Sequence, residues 1–250
     1  MSAFNDRTGE IRYNNFGSKM IIKEYRSCMS VDVYFPKYDW VFKNAQYNKF
    51  KNGNIKCPYE PRACNVGYEG EGEYSFQNDI ECYDVWFHML RRCYDKDYLI
   101  RFPTYENCEV YEEWCNFQNF AKWYYKNYYE VNNEKMVLDK DILIKGNKIY
   151  SPKTCIFVPE DINLLFVKSD KKRGKYPIGV SELPYNKFRS RCNVKGKRIH
   201  IGVYNTPEEA FIHYKHFKEK LIKQIADEYK SYIPKELYEA MYKWEVEIND

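Results

Sequence analysis

The chain has 250 residues, 30% of them charged, yet its net charge is only +4. That length exceeds the usual single domain, so two or three modules are expected. No apolar run approaches the length of a membrane span, which excludes a spanning helix, and the opening MSAFNDRTGE lacks an apolar core, so no signal peptide is expected. The charge is concentrated rather than large. From Lys168 to Gly202 there are eleven Lys or Arg against Asp170 and Glu182, a local excess of +9, while residues 203–250 carry −3 and residues 1–167 carry −2. A compact cationic segment is the footprint of a polyanion. Nine cysteines, an odd number with no Cys-x-x-Cys pair, read as free thiols in a reducing cytoplasm. The alternative is zinc, which would have to draw on Cys57 with Cys64 or on Cys82, His88 and Cys93.

Residues 1–78 read as a β-rich accessory module. Met20–Tyr25 and Val31–Phe35 are strand-like runs joined by a turn over Ser27–Ser30, and Trp40–Phe42 and Tyr47–Phe50 continue the pattern up to an Asn52-Gly53 turn. A small barrel or curled sheet would hold them. Gly67, Gly70 and Gly72 then mark a link, and the period changes to helical. Trp86, Met89, Leu90 and Cys93 fall at i, i+3, i+4 and i+7, and Trp114, Phe117, Phe120, Ala121 and Tyr124 form a second apolar stripe beyond Pro103. Both stripes read as core packing.

The run from Leu138 to Asn163, LDKDILIKGNKIYSPKTCIFVPEDIN, decides for or against a reaction. With the helices before it, it resembles the HNH endonuclease module of phage homing enzymes over residues 79–167. The resemblance implies a metal ligand at Asp139 and a distal catalytic position at Asn163, with Mg²⁺ or Mn²⁺ as the ion. Tyr150-Ser151-Pro152 matches the lead-in to the motif's helix, and Asn147 lies in the intervening turn. Two positions depart from the pattern. Lys140 stands where the family has its catalytic histidine, and Thr154 where it has asparagine. The motif needs a neutral imidazole to activate water, and a lysine is protonated at neutral pH. None of the four histidines, His88, His200, His213 and His216, lies in the motif. The segment is therefore a degenerate nuclease kept as a scaffold or a noncanonical one using Asp139, Asp141 and metal-bound water.

From Tyr176 onward the period is two. Lys187, Arg189, Arg191 and Asn193 point one way and Phe188, Ser190, Cys192 and Val194 the other; Arg198 and His200 then oppose Ile199 and Ile201 across a Lys195-Gly196-Lys197 turn. Thr206, Pro207 and Glu209 announce a helix by N-cap, first-turn proline and capping box. Ala210, Phe211, Tyr214, Phe217, Lys218, Leu221 and Ile225 recur at helical spacing, a stripe to cover the sheet's apolar side. Gly179-Val180, the strand ending at Arg191, the run Arg198-Ile199-His200-Ile201-Gly202-Val203-Tyr204, and Thr206 to Ala210 together resemble the plant Apetala/ethylene-response-factor DNA-binding domain, which also occurs in phage and bacterial homing endonucleases. The resemblance implies a three-stranded sheet in the major groove, with Ser181, Leu183, Tyr185, Arg191, Arg198 and His200 at the reading positions. Lys187 and Arg189 join them on the basic face, and Lys171, Lys172, Arg173 and Lys175 would follow the backbone. Several of the family's arginines and tryptophans are replaced here, so the plant target sequence does not carry over. Pro234–Trp244 reads as a final helix with Leu237, Met241 and Trp244 on one side.

The expectation is an α+β, modular chain: an N-terminal β module (1–78), a central HNH-like ββα module with helices (79–167), an Apetala-like sheet on a helix (168–230) and a terminal helix (231–250). Its expected partner is double-stranded DNA, with no membrane, in the cytoplasm of a bacterial host. The alternatives are an active metal-dependent DNA endonuclease and a phage-encoded interaction or inhibitor protein acting on a host nucleic-acid enzyme.

Overall fold

Alternating burial organises the first strands of the computed structural model, which describes residues 5–167 and 175–250. The fold is α+β, and it divides into two compact units, residues 1–124 and 125–250, each considered by itself.

In the first unit, β1 (Ile11–Tyr13), β2 (Lys19–Ser27), β3 (Ser30–Phe35) and β4 (Trp40–Ala45) form an antiparallel sheet in sequence order. Met20 and Ile22 of β2 and Val31, Val33 and Phe35 of β3 are all buried, as a period of two requires when one face is covered. Register shifts in β2 and β3 place bulges in this sheet, which add local twist. Tyr47–Phe50 does not continue the strand pattern. It is helix α1 (Tyr47–Lys51), whose turn drops Phe50 into the core of the sheet beside Ile55 and Cys57. Tyr47 and Phe50 are three apart, so only a helical turn brings both rings to one side. Next come α2 (Ile80–Tyr94), α3 (Lys96–Arg101), the short β5 (Glu109–Val110) and α4 (Phe117–Asn127). Trp86, Met89, Leu90, Phe117, Phe120 and Ala121 are buried, and the Trp86 indole donates to the Trp114 carbonyl at 2.7 Å.

The second unit begins with β6 (Met136–Asp139), β7 (Ile149–Tyr150), β8 (Ile156–Pro159) and the single turn α5 (Glu160–Asn163). It continues with β9 (Val180–Leu183), β10 (Lys187–Val194), β11 (Lys197–Tyr204), α6 (Pro207–Tyr229) and α7 (Lys235–Lys243). Two cores share the long helix α6, whose 23 residues span roughly 35 Å. Its first half covers the three-stranded sheet, packing Ala210, Phe211 and Tyr214 on Val180 and Cys192. Its second half packs Ile222, Ile225 and Ala226 on Val158, Ile162 and Leu165, with Leu237 and Met241 of α7 closing the cluster. The strand pair of the central segment and the C-terminal helices thus have one core. Among the described residues no helix is long and apolar enough to cross a membrane.

Candidate nucleic-acid interface

The sheet order is β11-β10-β9, all antiparallel. Two-residue Lys195-Gly196 joins β10 to β11, with φ of +47° and +77°, as the twist-matching hairpin turn demands. Cross-strand partners share a face, so the register assembles the free surface directly. Arg189 lies between Ser181 and Val203, Arg191 opposes His200, Asn193 opposes Arg198, and Lys187 opposes Leu183. Every described residue expected at a reading position is therefore on this face or, for Tyr185, at the tip of its β9–β10 loop. Lys171, Lys172 and Arg173 lie outside the described residues.

A bulge refines the expected alternation. The register shifts between Ser190 and Arg191, whose partners are Gly202 and His200, so Ile201 is the extra residue. That one insertion lets both Ile201 and Tyr204 pack on the helix side, where strict alternation would have split them. It also turns Val203, 49% exposed, out beside Arg189. Sequence periodicity alone missed Val203, because nothing in the residue types marks the phase change. Gly179 sits at the entry to β9 with φ +78°, and a Cβ there would lie 2.1 Å from the Tyr214 ring. Glycine is required for both reasons.

The electrostatics of the face are lopsided. Among the described residues no carboxylate pairs with Arg189, Arg191 or Arg198. Burial and the charges of Arg189 and Arg198 hold the Arg191 guanidinium below its ordinary value. Arg189 Nε and Ser181 Oγ are buried without a hydrogen-bond partner. Lys187 donates to the Asn205 side chain at 2.5 Å, and Lys175 stands 3.9 Å from Glu182 and 5.0 Å from the Tyr176 ring centroid. The net field on the free face comes from the three arginines together with Lys187, whose Asn205 partner is neutral.

The central segment is differently occupied. Asp139 Oδ1 accepts the N–H groups of Asp141 and Ile142 at 2.8 and 2.7 Å, closing the turn after β6. Burial first, then the Asp141 carboxylate, push its carboxyl up to about 6. Lys140 is buried and donates to Asp141 and to the Asn147 carbonyl, both at 3.1 Å, while the Asn147 amide returns to the Lys140 and Ile149 carbonyls. Lys140 and Asn147 brace the loop against itself. Thr154 likewise bonds the Ile149 carbonyl at 2.7 Å. Asn163 ends α5, beyond the opposite end of the β6–β8 pair: Asp139 opposes Ile156, whereas Met136 opposes Pro159. Those three residue steps are roughly 10 Å. Asp139 and Asn163 are not brought together along this pair, and among the described residues no group of three or more His, Cys, Asp or Glu is placed to hold a metal ion. All nine cysteines are free thiols, six of them buried.

Compared with protein-family models, with curated proteins and with solved structures, the chain matches none of them.

Proposed function

We propose that the chain binds duplex DNA through the free face of β9–β10–β11, as a protein of homing-endonuclease type working in the reducing cytoplasm of a bacterial cell. The observation that carries this reading is the cluster of Arg189, Arg191 and Arg198 on one face, none of them ion-paired with a carboxylate among the described residues. Crowded guanidinium groups repel one another, and a row of phosphates removes that cost while releasing its own counterions. Size agrees, since three strands span about 10 Å and the major groove is about 12 Å wide. Arginine forks suit guanine edges and phosphates alike. In this reading residues 136–163 serve as scaffold, because Asp139 Oδ1, Lys140 and Asn147 are hydrogen-bonded within the turn itself.

Anisotropy of a labelled duplex, titrated at several salt concentrations, tests the assignment. A logarithmic slope of roughly −3 to −5 is expected for three to five phosphate contacts. Arg191→Ala should cost about 1–3 kcal/mol and relax sequence preference, whereas Lys175→Ala should weaken all sequences alike. Binding that ignores salt, or an Arg191→Ala protein that binds as tightly as wild type, would reject it. Incubation with Mg²⁺ or Mn²⁺ and plasmid should leave the DNA uncut; nicking that Asp139→Ala abolishes would instead establish the nuclease.

A further inference from the structure

Lys218 is the exception in the apolar stripe of α6. It is 8% exposed, lies beneath the sheet, and has no carboxylate partner among the described residues. The titratable group acting on it is the Cys192 thiol, whose own value burial raises. Desolvation lowers the Lys218 ammonium from its ordinary value. A buried unpaired cation costs several kcal/mol, and a methionine of similar volume would cover the sheet without that penalty.

Lys218 is not enclosed by packed core on every side. Lys218 lines a cleft of about 610 Å³ within the second unit, inside the usual range for small-ligand sites. One wall is the part of β10 that runs past the end of β9, with Cys192 and Val194; the other carries Leu164 and Leu165. Tyr214 and Ile225 of α6 complete the apolar lining beside Lys218. Arg191, Arg198 and Lys195 also lie on the lining, where Asp161, exposed, is the carboxylate among the described residues. Ser181 Oγ, buried without a partner, is on it too. A cleft lined by apolar side chains, one buried lysine and further cations selects an anion on an apolar body.

We propose that this cleft binds a small organic anion, a carboxylate, sulfonate or phosphate carried on a flat apolar group, with Lys218 as its counter-charge. The inference does not depend on DNA binding. Its test is a fluorescence titration of the full chain with anilinonaphthalene sulfonate in the absence of DNA. One saturable site per chain is expected, displaced by naphthoate but not by the neutral naphthalene methanol. Lys218→Met should weaken the dye by about tenfold or more. Leu164→Trp, a half-exposed position at the wall, should fill the cleft and weaken it as well, which keeps the test decisive if Lys218→Met misfolds. Arg189→Ala, which removes a DNA-face cation outside the lining, should bind dye like wild type while losing DNA affinity, so the two readings fail separately. No saturable site on cooperatively folded protein, equal affinity in Lys218→Met and Leu164→Trp, or displacement by the neutral alcohol as readily as by naphthoate would overturn the proposal.

Discussion

Tyr185 holds φ +65° with its ring 94% exposed at the tip of the β9–β10 loop. A tyrosine in the left-handed region costs on the order of 1 kcal/mol, and here no packing offsets it. Its place beside the basic face is where a ring could lie against a base or sugar. Tyr185→Gly should therefore raise thermal stability, by up to about 1 kcal/mol, while lowering duplex affinity by a similar amount. A variant that is less stable, or that binds DNA unchanged, would contradict this role. Asp139 presents the opposite case, a side chain whose Oδ1 is committed to its own turn. Its folded-state value of about 6 lies above the ordinary 3.8, so the folded chain holds this proton more tightly than the unfolded one. The resulting stability is complete below pH 3.8 and is lost as pH rises through about 6. Asp139→Asn keeps an acceptor for both N–H groups and should abolish that decline. At neutral pH it should gain on the order of 1–2 kcal/mol, allowing for screening at a half-buried carboxyl. Denaturant melts of both proteins across this pH range decide the matter; a wild type that stabilises with rising pH would refute it.

At the scale of elements, the three-stranded sheet and α6 are locked by one close approach. Gly179 and the Tyr214 ring leave no room for a methyl group, and positive φ adds to the strain. Gly179→Ala should destabilise the chain by roughly 2 kcal/mol or more, seen as a lowered denaturation midpoint. A neutral result would mean that the approach is loose. The start of α6 follows its signals with one displacement. Thr206 Oγ1 accepts the Glu209 N–H at 3.1 Å, but the Glu209 carboxylate reaches back to the Asn205 N–H rather than to Thr206. The bulge at Ile201 belongs to the same scale. It lets Ile201 and Tyr204 both cover the helix, and Tyr204 stacks on His213 with ring centroids 4.4 Å apart.

For the molecule as a whole, the modest net charge conceals a segregated one, and the thiols are segregated as well. Cys28 is the exposed cysteine; Cys64 and Cys115 are half-buried, and the other six are buried. Burial raises Cys57 to about 11 and Cys155 to about 12, so neither offers thiolate at neutral pH. Ellman titration of the native protein should find one fast thiol, lost in Cys28→Ser, slower reaction of the half-buried Cys64 and Cys115, and the six buried thiols only after unfolding. A buried thiol reacting as fast as Cys28 would show that the unit holding it opens readily.

Local order was legible in the residues themselves. The alternation of Lys187 to Val194, the Thr206-Pro207 start and the stripe from Ala210 to Ile225 each depend on neighbours a few positions apart, which pattern captures. The turn that makes α1 of Tyr47–Lys51 was not, because five residues carry too little periodicity to outweigh the strands before them. Tertiary structure alone placed Lys218 at a cleft rather than in plain packing, spent Asp139 on its own turn, and set Asn163 beyond the far end of the β6–β8 pair. Those outcomes depend on which distant segments share a core, and a buried cation reads in sequence only as one polar letter in an apolar stripe.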